Sequence, residues 1–281
     1  MIDISRPTEI IRYITVQILT SKTESTTFTG SGTGFLYCFK KEGKEAPVLV
    51  TNKHVIEGAH IVGLKFHETE DQNKTPKAGS GRQINCKISE LTVLRHPDPN
   101  VDLVAICLTN VIAHIMGKEG WRPFILCLSD QEVPAQDAIE NFSGIEDISM
   151  VGYPIGIADE HNNFPVIRRG ITATPYRFDY QGKREFLIDI AVYPGSSGSP
   201  VFILNEGAFA TPNGLSVGTR FLLVGILYSG YIQTVEGEIV TEPIPTDIKS
   251  VAKMKLMANL GKCIKVSVIS DLEGLIPGWN K

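Results

Sequence analysis

Long apolar runs are missing from this 281-residue chain. The longest, such as residues 221–228, fall far short of the ~20 residues a bilayer-spanning helix needs, so no membrane partner is expected. Basic character is also missing: 27 Lys and Arg stand against 31 Asp and Glu, for a net charge of -4. The basic residues are scattered, which argues against a binder of nucleic-acid phosphates. Cysteine is sparse and unpaired in pattern. The five (Cys38, Cys86, Cys107, Cys127, Cys263) are an odd number, widely separated and mostly within apolar segments, so neither a disulfide framework nor a close-spaced metal site is expected. Free thiols agree with a reducing compartment. Residues 1–7 lack the basic stretch, apolar stretch and small-residue cleavage site of a secretory leader. If the chain is complete, the expected location is the cytoplasm. No repeat or low-complexity tract is present, and no cofactor or metal motif.

What is present is a soluble-protein composition, 42% hydrophobic and 21% charged, organised as many short apolar runs broken by Gly, Pro, Asn and Asp. In the first half these runs cover residues 13–19, 34–39, 47–51, 60–66, 84–94 and 103–108. In the second they cover 148–153, 165–172, 186–192, 200–204, 221–228 and 238–241. Such a series reads as an all-β sandwich or barrel, here two modules of about six strands. The linker is expected between Trp121 and Ala138. The divisions are 1–125, 126–245 and a C-terminal helix and tail over 246–281. That helix is expected over 247–260, with Thr246 as N-cap, Gly261 as stop and Ile248, Val251, Ala252 and Leu256 along one face. A shorter helix is expected over 110–116.

The chemistry concentrates at three strand boundaries. Gly195-Ser196-Ser197-Gly198-Ser199-Pro200 lies between two apolar runs. Small residues there allow a tight connection that exposes a serine hydroxyl beside neighbouring amides, which suits a nucleophile next to an oxyanion hole. His54 directly follows the apolar run 48–51, and Asp102 opens the run 103–108. Each of the three alone has a plain reading as a turn or surface residue. Together they give the chain order His, Asp, Ser, which differs from the orders of subtilisins and α/β-hydrolases. A metal site built from His96, Asp98 and Asp102 is a weaker alternative on spacing.

The chain resembles the chymotrypsin-like serine peptidases, and within them the bacterial trypsin-like branch close to the HtrA proteases. The resemblance is carried by Gly30-Ser31-Gly32-Thr33-Gly34-Phe35, by Leu49-Val50-Thr51-Asn52-Lys53-His54-Val55 and by Asp102-Leu103-Val104-Ala105-Ile106. It continues in Val151-Gly152-Tyr153-Pro154-Ile155-Gly156 and in residues 189–200, spanning about residues 28–230 in all. It implies two perpendicular six-stranded antiparallel β-barrels, with His54 and Asp102 from the first and Ser197 from the second. It implies a serine endopeptidase acting on polypeptides through an acyl-enzyme, with the N–H groups of Gly195 and Ser197 as oxyanion donors. Ala191 and Val192 would form part of the primary pocket, and Tyr228-Ser229-Gly230 would pair with an extended substrate. With uncharged Ala191 at the pocket base, cleavage after small or medium apolar residues is expected, with Gly225 and Gly230 keeping the pocket open.

The sequence also departs from the family pattern. Digestive relatives carry, before the nucleophile, an aspartate that pairs with a newly cut amino terminus; here that residue is Ser196, and no Ile-Val-Gly-Gly activation site is present. The oxyanion loop must then be ordered by its own packing, by substrate or by a protein effector. Ser199 replaces the usual second glycine. Tyr228 stands where many relatives have a serine that supports the aspartate. Residues 206–220 read as a surface hairpin or insertion. Too few residues follow the expected helix for a PDZ domain, so regulation would use the domain itself or another chain, including a second copy. The alternative reading is a protease-fold peptide binder whose catalysis is latent or lost.

Overall fold

The computed structural model describes residues 4–69, 71, 75–211, 214–239 and 250–279. Its first sheet contains β1 (Thr15–Ser21), β2 (Gly30–Lys41), β3 (Lys44–Thr51), β4 (Ile61–Phe66), β5 (Arg82–Lys87), β6 (Val93–Arg95) and β7 (Val104–Cys107). These pair antiparallel in the order β5-β4-β1-β2-β3-β7-β6. The sequence predicts six strands closed into a barrel; the structure has seven strands and, among the described residues, no pairing between β5 and β6. The extra strand arises because the run 84–94 is broken by a 3-10 turn at Ile88–Glu90. Its two halves then go to opposite edges of the sheet.

The second sheet is a closed barrel of β8 (Asp147–Gly152), β9 (Val166–Thr172), β10 (Glu185–Asp189), β11 (Pro200–Thr211), β12 (Gly214–Ile239) and β13 (Ser250–Lys265), in the order β10-β13-β12-β11-β8-β9. The architecture is the chymotrypsin-like pair of antiparallel β-modules. Short helices punctuate it: α1 (Pro7–Tyr13), α2 (Lys53–Ile56), α3 (Thr109–His114), which matches the short helix expected over 110–116, and α4 (Gln136–Glu140). The segment 206–220 is indeed a hairpin, its ladder running out to Thr211 opposite Gly214.

The C-terminal helix expected over 247–260 is not formed. Residues 247–249 and the cap at 246 lie outside the described residues, and from Ser250 onward the chain is β13, paired with β12 and, through Leu260–Ile264, with β10. The apolar residues at helical spacing are a weak local preference, and barrel closure outweighs it. Gly261, read as a helix stop, instead sits mid-strand where a Cβ would come within 2.8 Å of the Leu227 side chain and 3.0 Å of Ile188. Helical structure follows later, as a 3-10 segment over Val266–Leu275.

Strand alternation explains how near-continuous apolar runs are used. Successive residues of a strand face opposite ways. Leu36 and Leu49 therefore enter the core of the first sheet, while Phe35, Tyr37, Val48 and Val50 face a second core. On the other side, Val201 and Ile203 fill the closed barrel while Phe202 and Leu204 face that same second core. The shared layer between the modules is completed by Val266, Val268, Ile269 and Leu272 of the 3-10 segment. Two modules glued by a common apolar layer present the ends of their strands to one groove.

Candidate active site

β3 runs directly into α2, which places His54 in the first turn of a four-residue helix. Asp102 lies in the loop from β6 to β7. The two side chains meet: His54 Nδ1 to Asp102 Oδ2 is 2.5 Å, and the His54 N–H donates to Asp102 Oδ1 at 3.1 Å. An ionised carboxylate only accepts, so Nδ1 carries the hydrogen and Nε2 of the neutral ring keeps its lone pair. The Asn52 amide fixes the same loop by donating to the Asp102 carbonyl at 2.8 Å. Burial alone would raise the Asp102 pKa. The His54 ring and the amides of His54 and Lys53 reverse that and hold it below the usual carboxylate range. The start of α2 thus supplies support that a serine gives in digestive relatives. Burial and the neighbouring Glu185 carboxylate push the Tyr228 hydroxyl pKa up, and no hydrogen bond from Tyr228 to Asp102 is formed among the described residues.

Ser197 is half-buried in the connection from β10 to β11. The connection is clamped to β2 of the other module through one residue, Thr33. Its N–H donates to the Ser197 carbonyl at 2.8 Å, and its hydroxyl donates to the Gly195 carbonyl at 2.8 Å while accepting from Tyr153 N–H at 3.1 Å. The Thr33 carbonyl in turn accepts from the Thr51 hydroxyl at 2.7 Å. The approach requires glycine at 198: its φ is +85°, and a Cβ would lie 1.9 Å from the Thr33 carbonyl oxygen and 2.5 Å from Thr51 Oγ1. Next along β2, Gly32 packs on Val55 beside His54, where a Cβ would stand 2.5 Å from Val55 Cγ1. Consecutive residues of β2 therefore hold the histidine's helix and the serine's loop.

Within the loop, Ile155 N–H donates to the Pro194 carbonyl at 2.6 Å. In a trans peptide the C=O and the following N–H point in opposite directions, so this bond turns the Gly195 N–H away from the 153–157 segment. Among the described residues, the N–H groups of Gly195 and Ser197 and the Ser197 hydroxyl make no hydrogen bond. The structure thus joins His54 to Asp102 directly and leaves the Ser197 hydroxyl without a bond to the imidazole.

The residues expected to bind substrate separate into two groups. Val192 is 5% exposed, inside the closed barrel's core, and Ala191 is half-buried with its carbonyl taken by Arg168. Gly225 makes room for the Phe186 ring, 2.6 Å from where its Cβ would be, which is a core-packing task. Gly230 lies against Val192, 3.0 Å from its Cγ1. β12 at 229–230 pairs with β13 on one side, with a register shift around Tyr228, and among the described residues no strand pairs with its other edge. A cavity of about 620 Å³ opens between the modules beside Asp102, lined by Asp98, Arg184, Glu185 and Tyr228 among others. Of the expected binding residues, Tyr228 alone lines it.

The side chains of His96, Asp98 and Asp102 do not converge on one point, although His96 Nδ1 accepts from the Asp98 N–H at 3.1 Å. His96 bonds Asp271 at 3.0 Å, Asp98 caps Asn100 at 2.8 Å and Asp102 holds His54. All five cysteines are free, and among the described residues no helix is long and apolar enough to cross a membrane. Sequence reasoning assigned no role to Thr33, Asn52 or Arg168. Thr33 and Asn52 lie inside the quoted motifs. Arg168 lies in the run 165–172, where Arg168 and Arg169 stand side by side and the sequence does not say which of them turns inward.

No curated protein matches the chain. Two solved structures align over most of its length: Rv3671c from M. tuberculosis H37Rv, a serine-to-alanine mutant in an inactive form, and the Rv3671c protease, also in an inactive form. The first is 14% identical, covers 96% of this chain and 89% of its own, and has a TM-score of 0.47. The second is 16% identical, covers 97% and 93%, and has a TM-score of 0.48. The family model described as a trypsin-like peptidase domain matches residues 32–210, a span holding both modules' contributions to the groove, and the chain belongs to that family.

Proposed function

We propose that the chain is a serine endopeptidase that hydrolyses peptide bonds through an acyl-enzyme on Ser197. A serine hydroxyl is not ionised at neutral pH, so it needs a base during attack. His54 Nε2 takes the hydroxyl proton as Oγ bonds to the substrate carbonyl carbon, and Asp102 steadies the imidazolium. The carbonyl π pair moves onto oxygen, where the unused N–H groups of Gly195 and Ser197 receive it; one such donor is worth on the order of 3 kcal/mol. Collapse expels the amine with the proton from His54, and water repeats the sequence to free the acid and Ser197.

The observation that carries this reading is the 2.5 Å bond from His54 Nδ1 to Asp102, which leaves the opposite ring nitrogen as the base. Strand addition along the free edge of β12 would seat the peptide. By its likeness to the family, with the uncharged side chain of Ala191 at the expected pocket base, the preference would be for small or medium apolar residues before the scissile bond.

The competing reading, a latent peptide binder on this fold, draws on the Ser197 hydroxyl's lack of a bond to the imidazole. Labelling with a fluorophosphonate decides between them. A single adduct on Ser197, lost in Ser197→Ala, is expected. No labelling with or without added polypeptide would leave the binder.

A further inference from the structure

The aspartate that orders the nucleophile loop in digestive relatives is absent, because residue 196 is serine. A side chain on β9 meets the same need. In Val166–Thr172 the exposures alternate: Ile167 and Arg169 face solvent, while Arg168 turns inward. Its guanidinium Nη1 donates to the Ala191 carbonyl at 2.5 Å, and Nη2 donates to the Ser196 hydroxyl oxygen at 3.0 Å. These acceptors bracket the stretch that leads from β10 to the nucleophile, and Ser196 is fully buried.

Among the described residues, Arg168 forms no ion pair, and its Nε is buried with no partner. Burial works against this charge and lowers its pKa. An unpaired, half-buried cation is costly, and here every bond it makes goes to the loop.

We propose that Arg168 is the positioning residue of the nucleophile loop, an internal cation that fixes residues 191–196, and with them the Gly195 and Ser197 amides, without a freed amino terminus. The proposal rests on the endopeptidase reading for its catalytic consequence, but not for its structural one. It implies a loop ordered as synthesised, with no proteolytic activation step. Arg168 reaches no substrate in this role; it acts through Ser196 and Ala191.

The test compares wild type with Arg168→Met, Arg168→Lys and Ser196→Ala by two readouts. The first is hydrogen exchange of the peptide covering residues 190–200. In Arg168→Met its amides are expected to exchange at least ~10-fold faster, as loss of two bonds from a charged donor implies, while β1 to β4 keep wild-type protection. Arg168→Lys, which cannot fork to both acceptors, should fall between, and Ser196→Ala should loosen the loop less than Arg168→Met. The second readout is kinetics on a fluorogenic peptide library. A loss of about 10- to 100-fold in kcat with little change in KM is expected for Arg168→Met, partly restored by added ethylguanidinium.

Exchange of the loop within twofold of wild type in both Arg168 variants would overturn the proposal. So would a KM defect confined to peptides with an acidic residue before the scissile bond, since that would make Arg168 a specificity residue. Should Arg168→Met not fold, Arg168→Lys and Ser196→Ala decide by the same exchange criterion. Should the wild type neither cleave nor label, the endopeptidase reading fails, and the exchange result still decides the role of Arg168.

Discussion

Thr33→Val removes one oxygen and keeps the side chain's shape. Thr33 is fully buried, and its hydroxyl serves two groups of the other module, donating to the Gly195 carbonyl and accepting from the Tyr153 N–H. Neither group has another partner among the described residues. A buried polar group left unsatisfied costs about 1–3 kcal/mol, so the pair should cost about 2–6 kcal/mol of stability. At roughly 2–4 °C per kcal/mol for chains of this size, the melting temperature should fall by about 4–24 °C. Activity should suffer as well, because Gly195 carries a proposed oxyanion donor, and misplacement by about 1 Å costs on the order of 100-fold. Thr33→Ser keeps the hydroxyl and should recover most of both. The assay is urea and thermal unfolding alongside kcat/KM for the three proteins. Unfolding of Thr33→Val within about 0.5 kcal/mol of wild type would refute the view that this hydroxyl locks the modules together.

Two further outcomes follow from the geometry. Asp102→Asn should lower kcat about 10⁴-fold with the fold intact, because the amide cannot hold the His54 tautomer; steady-state kinetics and circular dichroism check this, and a loss under tenfold would contradict it. His67 is buried against Tyr13, with ring centroids 4.8 Å apart, and burial pulls its pKa from 6.5 down to about 4. The unfolded chain therefore takes up this proton first as pH falls. The contribution of His67 to stability is intact above about 6.5 and declines toward pH 4, by up to about 3 kcal/mol. Denaturant midpoints at pH 7.5 and 4.5 should differ less in His67→Leu than in wild type.

The strands and two of the three catalytic candidates were legible for one reason: both depend on local pattern. Short apolar runs bounded by Gly, Pro and polar residues mark β2, β3, β8 and β11 whichever core each face joins, and His54 and Asp102, set at strand boundaries, do meet. What sequence concealed is tertiary. β13 looked helical because Val251, Ala252 and Leu256 fall at a spacing that suits either state, and only the demand for a partner beside β10 and β12 decides it. The break at 88–90 inside one apolar run gave the first sheet its seventh strand. The loop's bonds to Thr33 and Arg168 join residues more than a hundred and fewer than thirty positions away, and no spacing rule reveals them. Val192, read as pocket, is spent on the barrel core, because its side chain fills space left by Gly230 and Gly261.

The position of β13 bears on when the enzyme can exist. β10, which leads into the nucleophile, borders β9 on one side and β13 on the other, so the barrel cannot close until residues 250–265 have joined it. Translation delivers those residues after the segments that carry His54, Asp102 and Ser197. A nascent chain halted before them has β10 without one of its two neighbours, so the connection from β10 to β11 that carries Ser197 gains its final setting only when the last strand docks.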